Sequence, residues 1–157
     1  MPPIYEPGLE ELLASVLPTG RLRFTTDYAQ AARADVHFIC VGTPQRKGEH
    51  AADASYVFAA GESLAPYLRA EALVVGKSTV PVGTVARLRD RLQRGPPEGV
   101  ALRLARNPEF LREGFAIQDT LARDRFVYGV EGQSADPTSP GSTRCMPGRP
   151  PWVRLGW

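Results

Sequence analysis

The sequence predicts an α/β protein built on a doubly wound parallel sheet, and three observations carry that expectation. The run "DVHFICVGTP" (35–44) is apolar at nearly every position after Asp35, and "ALVVGKSTVPVGT" (72–84) opens as another buried strand. A half-exposed strand would alternate, so this is the composition of parallel strands covered on both faces. Stretches with a helical apolar period stand between such runs, and strand and helix alternate about five times. The apolar runs also break off at loops bearing Gly and Pro, which puts those loops at the carboxyl ends of strands.

Each element has its own signal. In "LEELLASVL", Leu9, Leu12, Leu13, Val16 and Leu17 form the i, i+3, i+4, i+7, i+8 stripe of an amphipathic helix. "PTG" (18–20) ends it, "RLRFTT" reads as a short strand, and "TDYAQAARA" as a helix capped by Thr26 or Asp27. After the strand at 35–44 and a polar loop (45–54), Ser55 is positioned to cap "YVFAAGESLAPYL", with Val57, Ala60, Leu64 and Leu68 on one face. The strand at 72–84 ends near Lys77-Ser78-Thr79. In the helix around "TVARLRDRLQRG", Val85, Leu88 and Leu92 face inward, Arg87, Asp90, Arg91 and Arg94 outward, and Gly95 is the stop. "VALRLARNP" and "RFVYGV" are two further strands, with a short helix between them starting near Glu113.

Composition narrows the function classes. The chain has 157 residues, 43% hydrophobic and 23% charged, which suits one soluble domain. Nineteen basic and seventeen acidic residues are interspersed, so a net charge of +2 supplies no electrostatic argument for nucleic acid. No apolar run is long enough to span a bilayer, and "MPPIYEPGLEELL" is unlike a signal peptide. With two cysteines in dissimilar surroundings, a cytoplasmic protein without a disulfide framework, a membrane partner or a metal site is expected.

In an open parallel sheet, ligands bind outside the carboxyl ends of the strands. That favours three loops: "CVGTP", "GKSTVPVG" and "RNPEFLREG". In the second, Ser78 and Thr79 either cap the following helix or offer hydroxyls and amides to a phosphate or a polarised water. It is not a P-loop, because the GxxxxGK[ST] spacing is absent. Lys77 either meets solvent or holds an anion, and Cys40 reads as a small core residue. His37 and His50 have no partner at a ligand spacing. Glu109 and Glu113 lie four residues apart, between Pro108 and Gly114. In the first turn of a helix beginning near Leu111 they are either solvated glutamates or groups for general-base work and sugar hydroxyls.

Together, "IYEPGLEELL", "FICVGTP", "SYVFAA", "VVGKSTVPVGT", "NPEFLREGFAIQDTL" and "DRFVYGV" resemble, in order and spacing, the UDP-glucose 6-dehydrogenase family over about residues 3 to 130. The resemblance implies oxidation of the C6 alcohol of UDP-glucose to the carboxylate of UDP-glucuronate, with NAD as cofactor. It implies that Thr79 positions a catalytic water and that Glu109 does acid/base work on a covalent intermediate. Glu113 would lie beside the nicotinamide end of NAD, a cofactor lined also by Val41, Gly42, Thr43, Pro44, Ser78 and Thr79. Glu109, Phe110, Leu111, Arg112 and Glu113 would line the substrate. GDP-mannose enzymes spell the second loop differently, as "RSTVLPGT", and the "NPEFLREG" loop argues against oxidoreductases of the 6-phosphogluconate or hydroxyacyl-CoA type.

Two family features are missing from the 157 residues. No G-x-G occurs, so the turn that lets backbone approach the NAD pyrophosphate is absent. Cys145, in "TRCMPG", lacks the flanks of the family's "GGSCFPKD"-like nucleophile motif. The dimer-forming helix of family members is also absent. The expectation is therefore an incomplete Rossmann-like domain at 1–130 that lacks its first βα unit and following strand. It would be inactive alone, or be a non-catalytic nucleotide-sugar or NAD-binding module, or half of a split dehydrogenase. Residues 131–157, with five prolines and four glycines, show no helix or strand period and are expected to be a disordered tail.

Overall fold

The computed structural model describes residues 4–49, 51–108, 110–122, 126–130 and 152–156. Five strands form one sheet in chain order: β1 (Val36–Ile39), β2 (Leu73–Gly76), β3 (Arg103–Arg106), β4 (Phe126–Val130) and β5 (Trp152–Gly156). β1, β2 and β3 are parallel, in the registers Val36↔Leu73↔Arg103 to Ile39↔Gly76↔Arg106. β4 departs from the all-parallel expectation and runs antiparallel to β3 through Ala105↔Val130 and Arg106↔Gly129. A short connection through one small helix returns the chain beside the strand it left, which an antiparallel neighbour permits.

Residues 152–156 depart from the expected tail without strand period, because β5 pairs parallel with β4 from Phe126↔Trp152 to Val130↔Gly156. A strand can be held by its ladder with little periodicity of its own, so composition missed it. The rest of 131–157, Cys145 included, lies outside the described residues.

The two crossover helices share one face of the sheet. From α2 (Ser55–Leu64) and α3 (Thr84–Leu92), Val57, Phe58, Leu64, Leu88 and Leu92 pack with Ile39, Val74 and Leu104. Fully burying a side chain of this size stabilises by about 1.5–3 kcal/mol. On the opposite face Leu73, Val75 and Ala105 join Tyr128 and Val130. Leu73 and Val75 are 1% and 2% exposed, so β2 is buried on this face too, as its apolar run predicts.

β1 is not. His37 and Ile39 are buried, but Phe38 is 43% exposed and Cys40 is exposed. An edge strand has a neighbour on one side only, and the second core cluster is centred on β2, β3 and β4. Cys40 is therefore not the core residue that its apolar surroundings suggest.

Local signals also shift. Asp53, not Ser55, serves the start of α2, its carboxylate accepting from the Ser55 amide at 2.9 Å. Arg21–Thr26 form no strand: none of the five strands pairs with them, and Phe24 is 78% exposed. The expected helix after Asp27 is a 3-10 turn, Tyr28–Arg33, opened by the Asp27 carboxylate accepting from Ala29. The helix α1 (Leu9–Val16) forms where its stripe predicts, yet none of its residues is buried. The last helix, α4 (Ala116–Leu121), starts later than Glu113. Among the described residues no helix is long and apolar enough to cross a membrane.

Candidate functional site at the strand ends

Because β1, β2 and β3 run parallel as neighbours, the loops that follow them leave from one edge of the sheet. Hydrogen bonds then stitch these loops together. The amides of Lys77 and Ser78 donate to the Ile39 carbonyl at 2.9 and 3.3 Å. The Ser78 hydroxyl donates to the Val41 carbonyl at 2.7 Å, and the Thr43 hydroxyl to the Thr79 carbonyl at 2.8 Å. On the other side the Asn107 amide donates to the Gly76 carbonyl at 3.0 Å, and both terminal nitrogens of Arg106 lie 3.4 Å from the Val80 carbonyl. Buried Asn107 also donates from its side chain to the Val127 carbonyl at 2.8 Å, fixing the third loop to β4.

Ser78 and Thr79 are therefore not helix caps. α3 begins at Thr84, and its N-cap is Gly83, whose φ of 82° lies where glycine is at ease. The Ser78 hydroxyl joins loop to loop, while Thr79 is exposed at the rim with its carbonyl engaged. Val41 and Thr43 are half-buried, and Gly42 and Pro44 are exposed.

The third loop is closed by two carboxylates. Asp119 accepts from the Arg112 amide at 3.1 Å and from two guanidinium nitrogens at 3.1 and 2.7 Å. These bonds hold its carboxyl at a pKa of about 2. Glu6 accepts from the amides of Gly114 at 3.0 Å and Ala116 at 2.7 Å. Arg112 also stacks over Phe115, 4.8 Å from the ring centroid, so its side chain is engaged within the loop. Phe110 is 72% exposed, Leu111 is half-buried and Glu113 is exposed. Glu113 sits in a turn ahead of α4 rather than in a first helical turn, so the expected helix dipole does not act on it. Glu109 lies outside the described residues.

Sequence reasoning passed over Glu6, Asp119 and Arg106. Partial burial of Arg106 lowers the pKa of its guanidinium, and its Nε has no partner among the described residues. Spacing gives no sign of Glu6, since its partners lie 108 and 110 positions away.

A flat ring could lie against this rim. A Cβ built on exposed Gly42 would meet nothing within 4 Å, so bare backbone faces open space there. That fits the nicotinamide end of a dinucleotide. It does not fit the pyrophosphate, whose glycine-rich turn has no counterpart in the 157 residues.

The model of the UDP-glucose/GDP-mannose dehydrogenase family, NAD binding domain, matches residues 1–139. The UDP-glucose 6-dehydrogenase of Rhizobium meliloti is 50% identical over 131 residues, which cover 83% of this chain and 30% of that protein. A solved UDP-glucose dehydrogenase from Pyrobaculum islandicum superposes with a TM-score of 0.85 at 38% identity, over 99% of this chain and 36% of that one. The GDP-mannose dehydrogenase of Pseudomonas aeruginosa, solved as a ternary complex, gives a TM-score of 0.79 at 34% identity, over 98% of this chain and 36% of that one. The chain thus spans about 30% of the length of the curated relatives it matches.

Proposed function

Because the chain belongs to the UDP-glucose/GDP-mannose dehydrogenase family, we propose that its stitched rim is the wall of an NAD-dependent UDP-glucose 6-dehydrogenase site where nicotinamide meets the sugar. The overall change takes the C6 alcohol and one water to a carboxylate, passes two hydrides to two NAD and releases three protons. When bound, NAD supplies hydride acceptance. In this reading the Val41–Pro44 backbone and Ser78 form the cofactor side, and Glu113 borders the nicotinamide. Thr79 holds the attacking water, Glu109 exchanges the proton, and the backbone from Phe110 to Arg112 lies along the substrate. The observation that supports the reading is the joining of the first two loops by Ser78–Val41 and Thr43–Thr79, and of the second to the strand end that leads into the third by Arg106–Val80.

The 157 residues contain neither the pyrophosphate turn nor the nucleophile motif, so turnover requires groups that these residues do not supply. Titration of the isotopically labelled chain with UDP-glucose and with NAD tests the assignment. Resonances of Val41–Pro44, Ser78, Thr79 and Phe110–Glu113 are expected to shift while those of α1 stay fixed. Absence of any shift overturns the site, and NADH formation from UDP-glucose at a full enzyme's rate overturns the account of the missing groups.

A further inference from the structure

The Glu6 carboxylate makes a contact that the proposed reaction does not use. It stands at the start of α1, where its main-chain carbonyl accepts from the Leu9 amide at 3.0 Å. From there its side chain reaches the third loop and engages two amides, Oε2 with Gly114 and Oε1 with Ala116. Gly114 has a φ of 79°, in the left-handed region, so the chain bends sharply between the clamped amides. Charge-assisted bonds to backbone amides are roughly twice as strong as neutral ones.

A second device complements it. The Arg112 amide is held by Asp119 and the Phe115 amide by the Arg112 carbonyl, at 3.1 Å each. Asp119 thus closes the loop on itself. Asn107 ties the start of the loop to β4, and Glu6 ties its far end, at Gly114 and Ala116, to the start of α1.

We infer that Glu6 is a positioning residue, whose carboxylate sets where the Phe110–Glu113 segment is presented to ligand. This rests on the proposed reading of that loop as part of the site. Both carboxylate oxygens of Glu6 are engaged by loop amides, so it acts through the loop. A glutamine keeps one acceptor oxygen but presents an NH2 group to the second amide, so it retains one of the two bonds. An alanine retains neither.

The test compares the intact chain with its Glu6→Ala and Glu6→Gln variants by amide hydrogen exchange and by UDP-glucose titration. In Glu6→Ala, exchange at Gly114 and Ala116 is expected to quicken at least tenfold, while Val74 and Val75 in β2 keep their protection. UDP-glucose affinity is expected to fall at least fivefold, and Glu6→Gln to recover part of both effects. If Glu6→Ala disturbs folding, the Glu6→Gln comparison alone decides, through selective quickening at one of the two amides. Unchanged exchange at both amides overturns the inference, as does unchanged affinity once they are freed. A wild-type chain that takes no UDP-glucose sinks the reading of the site, whereas the exchange result still decides whether Glu6 fixes the loop.

Discussion

The hydroxyl of Thr43 and the carbonyl of Thr79, 2.8 Å apart, join the loop after β1 to the loop after β2. Ser78 makes the reciprocal tie to Val41 at 2.7 Å. Removing either donor, as Thr43→Val or Ser78→Ala, is expected to cost about 0.5–1.5 kcal/mol. Both bonds hold the same two loops, so the double variant should lose less than the sum of the single losses, with a coupling of at least about 0.5 kcal/mol. Urea unfolding of the four proteins measures this. Strict additivity would mean that the loops are held independently.

Gly95 illustrates a position where sequence named the residue and misjudged its reason. Read as a helix stop, it would be needed for its backbone freedom. In the structure a Cβ placed there would lie 2.6 Å from the Cβ of Ala65, which is 1% exposed. Ala65 has no rotamer with which to retreat, so the backbones must part. Gly95→Ala is expected to destabilise by about 1–3 kcal/mol, and the paired change Ala65→Gly to relieve much of that strain. A neutral Gly95→Ala in thermal unfolding would contradict the packing argument.

The same contrast runs through the molecule. β2 and α3 were legible because their patterns are local: Leu73, Val74 and Val75 are uniformly apolar, and Leu88 and Leu92 recur at a helical step. The rim was legible because strand ends in a parallel sheet must share an edge. What sequence concealed depends on partners distant in the chain. Phe38 and Cys40 look as buried as Val75, and only the place of β1 at the edge exposes them. Arg21–Thr26 have strand composition but no strand partner among the described residues, and β5 has a partner but little pattern. Glu6 has the same composition signal as any glutamate near a helix start, and its role exists only once the fold brings α4 to it.

The Arg112–Asp119 pair makes a prediction about acid. Asp119 titrates near 2 in the folded chain, below the ordinary aspartate value of about 3.9. A depressed carboxyl stabilises fully above the unfolded value and loses that contribution as pH falls through the folded one. The Arg112–Asp119 bonds should therefore persist at pH 3.5 and loosen only as pH approaches 2. Arg112→Ala removes the largest cause, the guanidinium bonds, but keeps the backbone amide, so the Asp119 carboxyl carbon should titrate higher, part of the way back to the ordinary value. An unchanged midpoint in that variant would show that another group holds Asp119.

His37 sets the opposite end of the acid range. It is buried on β1, 7% exposed, and its Nε2 has no partner among the described residues. Burial, reinforced by the Arg69 charge, pulls its pKa below the usual 6.5, although a bond to the Ala34 backbone opposes this. The folded chain then resists a proton that the unfolded chain accepts. Stability is full above about pH 6.5 and falls as pH drops through and below that value, with a slope of up to about 1.4 kcal/mol per pH unit for one proton. Urea unfolding at pH 7.5, 6.5 and 5.5 should show this decline. In His37→Leu, which cannot titrate, the decline should flatten by up to one proton, even though loss of the Ala34 bond lowers stability at every pH. Parallel curves for the two proteins would assign the acid sensitivity elsewhere.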